Sequence, residues 1–248
     1  GNINVNNSSY IAWTWDAGSS TASNTDGSIT SNVRASQTNG ISIVSYAGSG
    51  TSNDSVGHGL NVAPKLIITK NRDGAYSWRV LTTAIDGSLD RLFLDATNSK
   101  ADQAGVSVPT SSVFYVGSNL DHNKSGDDII AYCFAPVEGF SAMGSYVGNG
   151  SSTDGPFVYT GFKVNWLLVR RSDATQNWVI TDGVRNTSNI VDKGLYADLT
   201  NSESTADRFD FVSNGFKIRT NFLESNASGG TYVYLAFASH PFKTARAR

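Results

Sequence analysis

The chain carries little of the chemistry on which covalent, metal-dependent or electrostatic function usually rests. Its 248 residues include one cysteine, one methionine and three histidines, and only 16% of them are charged. The single thiol, Cys133, excludes an internal disulfide, so stability falls to packing, hydrogen bonding and contacts between copies. His58, His122 and His240 stand far apart, and none has the partner three or four residues away with which a helix builds a zinc site. A net charge of −2 gives no broad basic field to neutralise phosphates, so nucleic acid is not an expected partner. No run approaches the roughly 18 consecutive apolar residues of a membrane span, and Gly1 to Tyr10 has neither the basic end nor the apolar centre of a secretory signal. Membrane insertion is not expected.

Catalytic signatures are also scarce. There is no nucleophile elbow to hold a Ser-His-Asp set. The aspartates stand mostly in Asn- and Gly-flanked turns, where local hydrogen bonding accounts for them without the paired carboxylates of a glycosidase. No catalytic residue is assigned and an enzyme is not expected.

What is present is turn and strand chemistry: 24 glycines with abundant Ser, Thr, Asn and Asp between short β-branched and aromatic runs. The organising feature is an internal repeat. "SYAGSG" at Ser45 to Gly50 returns as "SYVGNG" at Ser145 to Gly150, and Gly59-Leu60 is answered by Gly161-Phe162. "KLIITK" from Lys65 matches "WLLVRR" from Trp166, and "SWRVLT" around Trp78 matches "NWVITD" around Trp178. Each copy closes on an almost wholly apolar strand, "DDIIAYCFA" from Asp127 and "TYVYLAFA" from Thr231, followed by Pro136 with Phe140 or Pro241 with Phe242.

Six strands per copy follow from the alternation. In the first they are Ile41–Tyr46, Lys65–Lys70, Ser77–Thr82, Arg91–Leu94, Val113–Val116 and Ile129–Phe134. In the second they are Ser141–Val147, Trp166–Arg171, Trp178–Thr181, Arg208–Val212, Phe216–Thr220 and Thr231–Ala238. One buried face per strand implies stacked sheets. The fold expected is all-β: two tandem homologous β-sandwich units of jelly-roll-like form, 41–140 and 141–248, plus an extra N-terminal strand within residues 1–40. That strand is placed at Ser8–Trp15, an orphan closing strand that suggests the C-terminal part of a longer polypeptide and is also expected to complete a sheet of the following unit, and residues 16–40 read as a polar linker or exposed arm with one short alternating piece near Ile29 to Val33. Leu195–Ala206 is read as holding a helical turn or two.

Trp78 and Trp178 occupy equivalent places, and a repeated aromatic reads first as a core anchor worth about 3 kcal/mol or more; a sugar-stacking platform is the functional alternative. Cys133 reads as a small buried hydrophobe. Asp54, Asp73, Asp121, Asp127, Asp128 and Asp154 fall in predicted loops, so a structural Ca²⁺ is conceivable, although no EF-hand spacing supports it; no metal or cofactor is assigned. The basic end with Lys243, Arg246 and Arg248 reads as a solvated tail.

The strings "YIAWTWDAG", "SNTDGSITSNVRA", "GISIVSYAGSG", "VGHGLNVAPKLIITKN", "GSYVGNGSSTDGPFVYTGFKVNWLLVRR", "FVSNGFKIR" and "GGTYVYLAFASHPFK" run through nearly the whole chain. Together they resemble a domain of unnamed function found in virion proteins of marine and freshwater bacteriophages, cyanophages especially, with Thr14 and Asp16 departing from its opening motif. The resemblance implies a tail-fibre or other structural protein on the virion surface. It also implies a homo-oligomer, with a trimer favoured, contacts with other virion proteins, and attachment to host surface polysaccharide. A capsid decoration or purely structural fibre protein is the alternative. The loops Ser49–Gly59, Asn71–Tyr76, Gly117–Asp127 and Asn149–Pro156 are polar and unequal between the copies. Ligand contact is accordingly expected at Asp54, His58, Asp73, Tyr76, Asp121 and His122.

Overall fold

The apolar runs that close the two repeats become the strands around which the rest of the chain is arranged. In the computed structural model, which describes residues 5–240, the first unit contains β1 (Ala22–Asn24), β2 (Ser31–Ser36), β3 (Ile41–Ala47), β4 (Asp54–Gly57), β5 (Leu66–Asn71), β6 (Arg79–Thr82), β7 (Asp90–Phe93), β8 (Ala101–Asp102), β9 (Val113–Val116), α1 (Leu120–Asn123) and β10 (Asp128–Phe134). The second contains β11 (Ser141–Val147), β12 (Phe157–Tyr159), β13 (Val164–Arg171), β14 (Trp178–Asp182), β15 (Val191–Tyr196), β16 (Ser204–Val212), β17 (Gly215–Ile218), α2 (Leu223–Asn226) and β18 (Thr231–Ala238).

The first large sheet runs β1-β2-β3-β10-β5-β6-β7-β8 and the second β11-β18-β13-β14-β15-β16-β17-β12, while β4 and β9 form a separate two-stranded layer. β10 lies between β3 and β5 as β18 lies between β11 and β13. The register equates the copies residue by residue: Phe134 faces Ile41 and Leu66, and Phe237 faces Ser141 and Trp166.

Both closing strands are central, and period-two alternation sends their side chains to two different cores. Ile129, Ala131 and Cys133 point into the sandwich of the first unit with Val33, Val44, Tyr46, Val56, Phe114 and Val116. Tyr232, Tyr234 and Ala236 do the same in the second, with Phe209, Phe211, Phe216 and Ile218. The opposite faces meet each other. Ile41, Leu66, Val80, Leu92 and Phe134 from one unit pack on Met143, Trp166, Leu168, Trp178, Val233, Leu235 and Phe237 from the other, making a third core between the units. The all-β tandem-sandwich expectation holds, with the two sandwiches set back to back. Cys133 is fully buried, and burial pushes its thiol up to about 12.

The N-terminal region differs in detail from expectation. The extra strand is β2, which makes a six-residue ladder with β3 and buries Val33. Residues 22–36 are therefore part of the first sandwich and not an exposed arm, because a ladder and one inward valine suffice to hold a polar strand. Ser8–Trp15 pairs with no strand, since β2 already occupies the outer edge of β3. Its alternating aromatics dock on the second unit instead. Trp15 meets Trp166 edge-on at 5.2 Å and Phe237 at 5.5 Å, and Trp13 meets Trp166 at 6.2 Å while its indole nitrogen donates to Asp182 at 3.3 Å. Leu195–Ala206 holds no helix; it is the end of β15, a turn and the start of β16, in keeping with a stretch that has turn residues and no helical periodicity. Pro241, Phe242 and the basic tail lie outside the described residues.

Candidate functional site

The repeated Tyr-x-Gly segments are structural, and they account for several loops that the sequence marks as candidates. The Tyr46 hydroxyl donates to the carbonyl of His122 at 2.6 Å and that of Tyr146 to Ser225 at 2.8 Å. Asn123 ties the loop after Gly48 to its own segment, through Thr51 O and the Ser49 N–H on one side and Gly117 O on the other, and Asn226 repeats this with Ser151 O, the Asn149 N–H and Thr220 O. Gly48 and Gly148 are required by this closeness: a Cβ on either would run into the carbonyl of Lys124 or Ala227. The shared motif is Leu-acid-x-Asn, Leu120–Asn123 and Leu223–Asn226.

Of the six candidate residues, Asp121, His122 and His58 are buried and held by such internal bonding. Asp121 is salt-bridged to Arg79 at 2.8 Å, and Arg79 also reaches Gln103 at 2.7 Å. The second unit answers with Glu224 and Arg208, whose arginine comes from β16 and not from the counterpart of β6. His122 and His58 are fully buried. His122 accepts the Gly117 N–H at Nε2 (2.9 Å), so its Nδ1–H donates to Asp121. His58 has the opposite tautomer, accepting the Leu60 N–H at Nδ1 and donating to Thr110 O.

Asp54 accepts from Ser49 at 2.6 Å and Ser28 at 3.1 Å. Asp73 is exposed and accepts the Asp128 N–H at 2.6 Å. Tyr76 is half-buried beneath the Lys124 ammonium, which lies 5.9 Å from its ring centre. Among the described residues no three His, Cys, Asp or Glu side chains converge as a metal set would; Asp127 binds Asn71 and Lys124, and Asp154 binds Lys217.

The two histidines set a pH dependence. Burial is the main cause that holds both below their ordinary value, opposed at His58 by the Thr110 carbonyl and at His122 by the Asp121 carboxylate. Protonating either would also cost it a backbone N–H. In the unfolded chain each takes up a proton near pH 6.5, so the unfolded state binds more protons in acid and stability falls as pH drops. Urea midpoints are expected to be flat above about pH 7 and to decline below about 6.5, the slope approaching about 1.4 kcal/mol per pH unit for each histidine until the folded values are reached. A midpoint unchanged from pH 7.5 to 5.5 would contradict this.

An open cleft lies where the copies fail to match. Trp178 is 1% exposed; its ring covers the Arg170 guanidinium at 5.9 Å and its indole nitrogen donates across the inter-unit core to Phe93 O at 2.7 Å. Burial brings Arg170 down to about 10. Trp78 holds the same place in the first unit. The Trp78 N–H donates to Asp95 as the Trp178 N–H donates to Asp198, each at 3.1 Å, and Leu94 and Ala197 donate to the two tryptophan carbonyls. The counterpart of Arg170, Lys70, turns to the carbonyls of Gly74 and Tyr76 and leaves the tryptophan. Trp78 is accordingly only half-buried. It stacks on Tyr132 at 6.4 Å and lines, with Leu94, Asp95 and Ala197, an open cleft of about 280 Å³ at the junction of the units. Asp95 and Ala197 escape a reading of the sequence, since only the pairing of the copies reveals that each tryptophan is followed by an aspartate bound to its own N–H.

A family model described as "Domain of unknown function (DUF7483)" matches residues 1–241, and the chain belongs to that family. No curated protein and no solved structure matches it.

Proposed function

We propose that this DUF7483 domain is a non-catalytic attachment module of a virion fibre, and that it binds host-surface glycan with Trp78 as the sugar platform. The observation that carries the reading is the contrast between the two tryptophans: the second is plugged into the core, and the first lines an open cleft beside a carboxylate. An indole offers an apolar, polarised face to the C–H side of a pyranose, and Asp95 can accept from its hydroxyls. The exposed Asp73 and the Tyr76 ring lie on the loop that leads directly into Trp78. The virion setting rests on the sequence resemblance. Weak single-site attachment of this kind becomes effective when several copies act together.

Screening the intact protein on a glycan array and on whole cells should give a saturable signal. Trp78→Ala should weaken it by about 2 kcal/mol, roughly thirtyfold, as expected for loss of an aromatic hot spot, with little change in melting temperature because the ring is half-buried. Absence of saturable binding, or undiminished binding by Trp78→Ala, would refute the proposal. A protein that binds no glycan yet is located on virions by immunolabelling would instead be a decoration or shaft component.

A further inference from the structure

The units also differ at the edge of their outer layers. In the first, the outer edge of β4 is covered by the chain's own residues 24–31. The Ile29 N–H donates to Ser55 O at 2.9 Å, Ser28 and Ser55 exchange hydrogen bonds, and the Ser31 hydroxyl reaches Gly57 O at 3.0 Å. Gly27 and Gly57 admit this approach, because a Cβ on them would strike Ser55 O and the Asn24 side chain.

β12 is the counterpart of β4: Val158 opposes Phe216 as Val56 opposes Phe114. Here nothing equivalent is supplied. Forty residues precede β3, but only the six residues 135–140 join β10 to β11, too few to return along this edge. The inner side of β12 is bound to β17, with Ile218 N donating to Pro156 O and Thr160 N to Asn214 O, both at 3.0 Å. Alternate residues of an antiparallel strand face the other way, which sets the main-chain donors and acceptors of Phe157 and Tyr159 on the outer side. No strand pairs with that side among the described residues. Their side chains are 47% and 67% exposed, while Val158 between them is 7% exposed.

We infer that this edge is an interface between two copies of the chain, formed by antiparallel pairing of β12 with itself about Val158. The strand suits its own image. An axis through Val158 sets Phe157 against the partner copy's Tyr159 and Tyr159 against the partner copy's Phe157. That arrangement closes the outward hydrogen bonds in reciprocal pairs, places two aromatic cross-strand pairs on one face, and is the isologous form a twofold interface requires. β12 carries none of the lysines or bulges that usually protect an exposed edge, and Pro156 faces inward, where it blocks nothing. Lys217, opposite Phe157, is neutralised by Asp154, so like charges do not oppose the approach. In the first unit the same edge is covered by this chain's own residues through a single parallel bridge, Ile29 to Val56, so the position takes up main-chain partners.

Sedimentation of the full chain over a concentration series should show a monomer–dimer equilibrium. Tyr159→Pro removes only the outward N–H, and the double variant Phe157→Lys/Tyr159→Lys adds charge to the edge; each should weaken association at least tenfold with unchanged circular dichroism. The lysine variant carries the test if the proline variant misfolds. A wild-type protein that stays monomeric to its solubility limit, including one that pairs only with a different polypeptide, overturns the inference. Self-association of the folded variants as tight as that of wild type does so equally.

Discussion

Trp178→Ala is expected to destabilise the protein by about 4 kcal/mol, the range found when a large aromatic is removed from a close-packed core. The ring is almost wholly enclosed, its N–H bond to Phe93 O is the direct polar link from β14 to β7, and its removal would uncover the Arg170 guanidinium. Loss of one side chain should therefore lower the urea midpoint of the whole chain and not of the second unit alone. Trp78→Ala serves as the internal control, since an equal stability loss from both substitutions would mean that the two rings are equally structural and that the asymmetry between them has no consequence. A Trp178→Ala loss below about 1 kcal/mol would contradict the role assigned to the inter-unit core.

The second large effect is expected at the buried Arg79–Asp121 pair. Arg79 is 3% exposed and its partner carboxylate is largely enclosed. Burial alone would raise the Asp121 carboxyl, but hydrogen bonds from His122 and Arg79 outweigh it and hold the group below its ordinary value. Arg79→Ala strands that carboxylate, and stranding a buried charge costs about 3–5 kcal/mol. Arg79→Met combined with Asp121→Leu should cost much less than the two single changes added together, because no charge is left unpaired. A double-mutant cycle in urea gives the coupling directly, and strict additivity would show that the pair is not interacting. Since a lowered carboxyl contributes stability above its unfolded value and loses it as pH falls through the folded one, the Asp121 contribution should persist through the histidine-dependent decline and vanish only in stronger acid.

Much of the architecture was legible because strands of period two announce themselves when one face is buried. Ser141–Val147 is read to the residue in this way, as are the continuous apolar runs Val113–Val116 and Thr231–Ala238, the latter buried on both faces. What escaped were strands without that pattern. β4 reads DSVG with one apolar residue, β12 has only three residues, β15 buries every third residue and not every second, and β2 is a polar strand with a single inward valine held by its ladder. Ser8–Trp15 erred in the opposite direction, since alternating aromatics suit a docked extended segment as well as a strand. String comparison of the repeats sets Lys65 against Trp166, whereas pairing through Phe134 and Phe237 equates Leu66 with Trp166; one residue of slip exchanges the faces of a strand.

The candidate site was less legible for a related reason. Polar loops drew attention to Asp54, His58, Asp121 and His122, but each of these satisfies neighbouring backbone or side-chain groups. Polarity in a loop does not distinguish an internal bond from an external one. Trp78 matches Trp178 in sequence and reads as an equal core anchor, yet only the second is enclosed. The divergence arises from Arg170 and Lys70 taking different directions beneath equivalent rings, and nothing local to either tryptophan encodes it.

The docked N-terminal tryptophans impose an order on the protein's own manufacture. A ribosome delivers Trp13 and Trp15 well before Trp166 and Phe237, the rings on which they dock. Both indoles must wait in water while each sandwich assembles behind them. Closing that strap, across a separation of 169 residues between Trp13 and Asp182, is a late long-range step of the kind that slows folding and leaves nascent chains exposed to aggregation.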